Sequence, residues 1–251
     1  MKKCFLGFIV FMFCCFSVFS QRKTIKDSIY RIPITGLQMS FQLPEGDMAQ
    51  RFGPSINVGL PFYYKTRKNI IIGFEANYFF SSNVKEKTMS NLYNSDGFIT
   101  NINGNPATYR LNERGWDAYA VLGGVLNKYG NNKNSGIMMW AGLGYMQHKI
   151  NIYDVGNNMP QIAGNLVKGY DRLTGGLAVS QFIGYLYISK NRLSNFYAGL
   201  EFQEGFTTGL RGYQYDLMAP DNKKRLDILM GIRIGWLLPL YKKLPKEFYY
   251  F

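Results

Sequence analysis

Apolar and polar residues alternate one for one along most of this chain, in segments separated by connections that are short and long in turn. A period of two puts successive side chains on opposite faces of an extended strand. Residues 36–43 alternate without exception, with Leu37, Met39, Phe41 and Leu43 on one face and Gly36, Gln38, Ser40 and Gln42 on the other. The pattern predicts a second strand over 54–64, where Ile56, Val58, Leu60, Phe62 and Tyr64 oppose Ser55, Asn57 and Gly59. A third, over 70–80, sets Ile70, Ile72, Phe74, Ala76 and Tyr78 against Gly73, Glu75 and Asn77. The fourth, 116–126, is placed by spacing alone, because both of its faces are apolar or small. The fifth, 137–148, opposes Ile137, Met139, Ala141, Leu143 and Tyr145 to a glycine-containing face. The sixth, 173–188, is long enough to hold a bulge that switches its outward face midway. The seventh, 196–206, sets Phe196, Ala198, Leu200 and Phe202 against Gly199, Glu201 and Gln203. The eighth, 226–238, has the sharpest stripe: Ile228, Met230, Ile232, Ile234 and Trp236.

Strands with one wholly apolar face need hydrocarbon on that side. Connections 65–69, 127–136 and 189–195 are short and rich in Asn, Lys and Gly, whereas 81–115, 149–172 and 207–225 are longer and lack an apolar period. Short periplasmic turns and long outer loops are the habit of outer-membrane barrels, and an even strand number returns both ends to the periplasm. Closure follows from backbone chemistry, since an open sheet edge in lipid would leave N–H and C=O groups unsatisfied. The expected fold class is therefore all-β: an eight-stranded antiparallel transmembrane β-barrel with an N-terminal signal peptide. Phe62, Tyr64, Tyr185, Tyr187, Phe196 and Trp236 collect at one set of strand ends, and Tyr78, Phe80 and Tyr145 at the other, as two interfacial girdles. The competing reading is a soluble lipocalin-like barrel with its apolar face inside.

The N-terminus carries Lys2 and Lys3, then an apolar run to Phe19, as a signal peptide does. That run is too short to span a bilayer as a helix. The expected organisation is a signal over 1–20, a periplasmic segment over 21–35, the barrel over 36–241 and a periplasmic tail over 242–251. Localisation is then the outer membrane, after cleavage of the signal. Cys4, Cys14 and Cys15 all lie inside the signal, so the mature chain has neither disulfide nor thiolate. Lipoprotein processing at Cys14 or Cys15 is the competing reading, against which the preceding Phe11, Met12 and Phe13 are too bulky for a usual lipobox.

Charge changes the picture in three places. Glu75, Glu201 and Arg233 point inward at similar distances from the periplasmic end and form a candidate lumen ion network, either plugging a narrow barrel or gating a polar path. The net charge of +13 gathers on the periplasmic side, in a basic rim of Lys65, Arg67, Lys68, Lys190, Arg192, Lys242 and Lys243. That rim can meet anionic lipid headgroups or a periplasmic protein partner. His148 is the lone histidine, placed beside a loop with Asp154 and Asp171, and no spacing enforces a triad with a nucleophile. One histidine without cysteine makes no transition-metal site, and no cofactor motif is present. Export and the lack of a basic-aromatic stripe argue against nucleic acid as a partner.

The stretch Gly231-Ile-Arg-Ile-Gly-Trp-Leu-Leu-Pro-Leu-Tyr241, with a tail ending Phe248-Tyr-Tyr-Phe251, resembles the closing strand of small outer-membrane barrels. The resemblance implies recognition by the barrel insertion machinery during assembly. Over most of 36–241 the chain resembles the class that includes OmpX-like barrels and the PorT-like proteins linked to type IX secretion. It departs from the short OmpX type in a first outer loop, 44–53, far shorter than the next, and in its tail. No family active residue matches. The leading expectation is a non-enzymatic anchor or interaction module, accessory to protein secretion or surface assembly. The alternatives are a narrow, porin-like pore or small-solute binding barrel, and an envelope lipid-modifying enzyme using His148.

Overall fold

The computed structural model describes residue 29 and residues 31–189 and 193–240. The signal peptide, most of the 21–35 segment, the 242–251 tail, and Lys190, Arg192, Lys242 and Lys243 of the basic rim lie outside the described residues. Eight strands form: β1 (Ile32–Glu45), β2 (Ser55–Lys65), β3 (Ile70–Ser81), β4 (Tyr109–Leu126), β5 (Gly136–Asp154), β6 (Thr174–Ile188), β7 (Asn195–Gly209) and β8 (Lys224–Pro239). Each pairs antiparallel with the next in sequence, and β8 returns to pair with β1, closing the barrel. No helix among the described residues is long and apolar enough to cross a membrane; the chain crosses with strands.

The register fixes the tilt. A row of paired residues leaving β1 at Ile34 passes through Tyr63, Gly73, Val121, Gly142, Ser180, Gln203 and Leu229, and re-enters β1 at Pro44, ten residues further along. Eight strands with that stagger tilt by ~40° from the barrel axis, so each residue advances ~2.5 Å along it. Phe196 and Phe206, at the two ends of the apolar face of β7, are thus about 25 Å apart in height. That matches the apolar band of outer-membrane barrels.

Side chains sort as the alternation requires. Leu37, Phe41, Phe62, Ile72, Leu143, Leu200 and Ile232 are exposed on the outside, while Gln38, Ser40, Asn57, Asn77, Ser180 and Gln203 are buried within. A lipocalin-like arrangement would reverse these two sets. On β4 the ambiguity resolves with Tyr119, Val121 and Val125 inside and Trp116, Leu122 and Leu126 outside.

Four expectations need correction. β6 keeps one outward face throughout, Leu177, Ile183, Tyr185 and Tyr187, and its register on both neighbours is unbroken, so there is no bulge. The apparent switch came from Phe182, a large apolar residue that faces inward and stacks on Trp140 with ring centroids 5.6 Å apart. β4 and β5 also extend beyond the expected limits, pairing as far as Tyr109 with Asp154. Beyond the membrane no lipid selects an apolar face, so the extension carries no stripe. The barrel begins at Ile32 rather than 36, and the loop expected at 44–53 contains a short helix, α1 (Gly46–Arg51).

Candidate functional site

The interior is filled in layers. At mid-height the Arg233 guanidinium bonds Glu75 at 2.7 Å and also pairs with Glu201. All three side chains are essentially inaccessible to solvent. Strand stagger explains the convergence, because β3, β7 and β8 bring these residues to within about one residue of the same height on the tilted lattice. Gln42 donates to Glu201 at 2.7 Å, Tyr63 donates to Glu75, and Arg233 lies 5.3 Å over the Trp140 ring. Gln38 donates to Asn77 at 2.6 Å and accepts from the Tyr197 hydroxyl at 2.5 Å, while Asn77 donates to Asp117 at 2.6 Å. A buried charge survives only with such partners, and here Glu75 and Glu201 each have both a cation and a neutral donor, while Asp117 has the Asn77 amide alone.

Beneath this layer, Trp140, Phe182 and Tyr197 form an aromatic stack, with Phe182 edge-on to Tyr197 at 5.4 Å. Gly235 lies under the Tyr197 ring, where an added Cβ would stand 2.0 Å from Cε1. Ile34, Ile71, Met138, Leu186 and Leu237 close the periplasmic end. Lys65, expected on the outward basic rim, instead turns into this end and donates to Asn134 at 2.9 Å. Its position in the strand decides this, because Lys65 shares the inward parity of Tyr63. Arg67 and Lys68, in the turn, remain exposed.

At the outer mouth α1 sits inside the barrel rim. Met48 and Phe52 are fully buried, and Phe52 packs edge-on to His148 at 5.5 Å. The acid that meets His148 is neither Asp154 nor Asp171 but Asp227 on β8, 2.9 Å from Nε2. Thr207 also donates to Asp227, at 2.5 Å. The second ring nitrogen of His148 has no hydrogen-bond partner among the described residues, so no nucleophile is poised on it. Asp154 instead accepts from the amides of Gly156 and Met159, and Asp171 from Arg211 at 2.5 Å, which raises the Arg211 pKa. Among the described residues no group of His, Cys, Asp or Glu has the arrangement to hold a metal ion.

The outer loops are folded rather than open. Met89, Ile99, Met159, Ile162 and Tyr170 form a second apolar cluster above the barrel. An ion chain ties it to α1: Arg51 to Glu86 at 2.7 Å, Glu86 to Arg172 at 3.2 Å, and Arg172 to Asp216 at 2.5 Å. Asp47 of α1 accepts from the Leu226 amide at 2.9 Å, and this bond holds its carboxyl below the usual range. Sequence reasoning missed this assembly because its residues come from four separate connections with no shared period. Leu210, Tyr213, Leu217 and Met218 are left exposed on the last outer loop. A concavity of about 1110 Å³ lies on the outside of the barrel, lined by lipid-facing residues that include Leu37, Leu60, Phe196 and Trp236. It opens onto hydrocarbon.

No protein-family model and no curated protein matches the chain. Among solved structures it is similar to the attachment invasion locus protein Ail of Yersinia pestis, at 10% identity over 82% of this chain and 99% of that one, with a TM-score of 0.43. It is also similar to Neisserial surface protein A, at 9% identity, 83% and 97% coverage and a TM-score of 0.45. A major outer membrane protein of Thermus thermophilus gives 7% identity, 84% and 100% coverage and a TM-score of 0.42. The closed sheet, the outward apolar belt and the polar interior make the chain an integral β-barrel of the small outer-membrane type.

Proposed function

We propose that this chain is a sealed, non-enzymatic outer-membrane anchor that presents folded outer loops and a basic periplasmic edge to other envelope components, as an accessory to protein secretion or surface assembly. The observation that carries this reading is the triple obstruction of the lumen. An apolar floor, the Arg233 layer and the α1 plug lie one above another, and each is closed by packed or hydrogen-bonded side chains. A path for solute would have to break the central layer, at a cost of several kcal/mol. What remains available to partners is surface. The exposed apolar residues Leu210, Tyr213, Leu217 and Met218 sit on a loop braced by the Arg172 and Asp216 pair, which favours contact with a protein. Arg67 and Lys68 offer positive charge on the opposite side.

The test has three arms. Planar-bilayer recordings are expected to be silent for the native protein, and ion conduction by the native barrel would overturn the sealed reading. Photo-crosslinkers at Tyr213 and at Lys68 in intact cells are expected to capture envelope protein, and recovery of lipid adducts alone from both sites would refute the interaction role. An unchanged lipid profile in cells carrying His148→Ala is the expected result for a non-enzymatic barrel.

A further inference from the structure

We infer that the outer end of the β3–β4–β5 face holds a phosphate-bearing headgroup of an outer-leaflet lipid between Arg114 and Lys149. Both side chains share the outward parity of the lipid-facing residues, Arg114 with Trp116 and Lys149 with Tyr145. They are directly opposite one another across the β4–β5 ladder, which puts two like charges about 5 Å apart at Cβ. Such a pair repels unless an anion lies between. Among the described residues neither side chain has an ion-pair partner, and no Asp or Glu stands on the outward face of β3, β4 or β5. Among the described residues Arg114 spends one donor, on the backbone oxygen of Glu113 at 2.7 Å, and rests against the Phe80 ring.

Height selects the anion. Tyr78, Trp116 and Tyr145 form the outer girdle here, with Trp116 and Tyr145 rings 5.6 Å apart. Arg114 is two residues further out, about 5 Å, and Lys149 four residues beyond Tyr145, about 10 Å, with a flexible stem that reaches back. That is the level at which lipid headgroups meet water, immediately above the hydrocarbon. A cavity of about 320 Å³ opens between Tyr78, Arg114, Trp116, Gln147, Lys149 and Asn151. Its lower wall is aromatic and its upper wall is cationic and amide-bearing. An acyl chain can lie on the rings while a phosphate monoester accepts from Arg114 and Lys149, with Gln147 and Asn151 available for sugar hydroxyls. Nothing in this placement depends on what the loops bind.

The probe is bisphosphorylated lipid A added to the intact barrel in detergent and read by native mass spectrometry. Dephosphorylated lipid A and inorganic phosphate serve as the two comparison arms. Each cation beside an anionic headgroup contributes about fivefold, so Arg114→Gln/Lys149→Gln is expected to weaken retention of the bisphosphorylated lipid about 30-fold. Lys128→Gln/Lys133→Gln, in the exposed turn between β4 and β5 at the other end of the barrel, is expected to leave retention unchanged, and the heat-dependent gel shift of folded barrels confirms that both variants close. Equal retention by native protein and the Arg114/Lys149 variant would overturn the inference. So would retention of the dephosphorylated lipid as strong as that of the bisphosphorylated one, or displacement of lipid by millimolar inorganic phosphate, which would mark a free-anion site instead.

Discussion

Replacing Arg233 by Met tests the central layer most directly. Met preserves much of the side-chain length and removes the charge, leaving Glu75 and Glu201 buried, with no exposed surface, and facing a common vacancy of positive charge. Removing one partner of a buried pair costs about 3–5 kcal/mol. Here one cation serves two carboxylates and also covers the Trp140 ring at 5.3 Å, a contact worth about 1 kcal/mol. A loss of about 4 kcal/mol or more is expected, equivalent to nearly three decades in the folding equilibrium. The assay is urea unfolding from phosphatidylcholine vesicles followed by tryptophan fluorescence in a Trp116→Phe/Trp236→Phe background, where the signal comes from Trp140 beside the substitution. The decisive comparison is the triple variant Glu75→Gln/Glu201→Gln/Arg233→Met. Removing all three charges abolishes the uncompensated carboxylates, so most of the lost stability is expected to return. A loss below about 1 kcal/mol in Arg233→Met, or a triple variant no more stable than the single one, would refute the account of a dry, mutually dependent ion layer.

Three further outcomes follow from local geometry. Gly235→Ala places a Cβ 2.0 Å from the Tyr197 ring, which is held by its bond to Gln38, so a loss of about 2 kcal/mol is expected in the same unfolding assay; an unchanged midpoint would show that the ring moves freely. Gln181 is exposed on the lipid face about halfway along β6, and Gln181→Leu is expected to gain about 1 kcal/mol by removing an amide from hydrocarbon. A destabilised variant would mean that the amide is satisfied by a neighbour in the bilayer. Asp47 has its pKa lowered by the Leu226 amide, so its tether of α1 is intact above the unfolded carboxylate pKa, about 4, and is lost as pH falls through the lower folded value. The protection factor of the Leu226 amide, its exchange rate referred to the intrinsic rate at the same pH, is expected to fall below about pH 4 in the native protein and to show no such step in Asp47→Asn.

The barrel was legible because lipid imposes one rule on every strand that crosses it. Where that rule lapses, so did the reading. The outward extensions of β4 and β5 meet water on both faces and show no stripe, and inward Phe182 imitated a change of parity because a lumen tolerates aromatics that pack on one another. Strand counting brought Glu75, Glu201 and Arg233 to one level, since their common distance from the periplasmic ends survives the stagger. Pairing of His148 with Asp227 was not legible. They are on β5 and β8, separated by 79 positions, and only the closed lattice together with the α1 plug brings them together. Lys65 was misplaced for a smaller reason: one residue of difference between strand and turn decides whether a side chain enters the lumen.

The seal at mid-height is built from β3, β7 and β8, with Gln42 contributed by β1, and owes nothing to the polypeptide outside the bilayer. On the proposed reading of a sealed lumen, protease nicking of the surface segments is therefore expected to leave the mid-height barrier intact. Loops exchanged by engineering would then sit on a wall that does not depend on them.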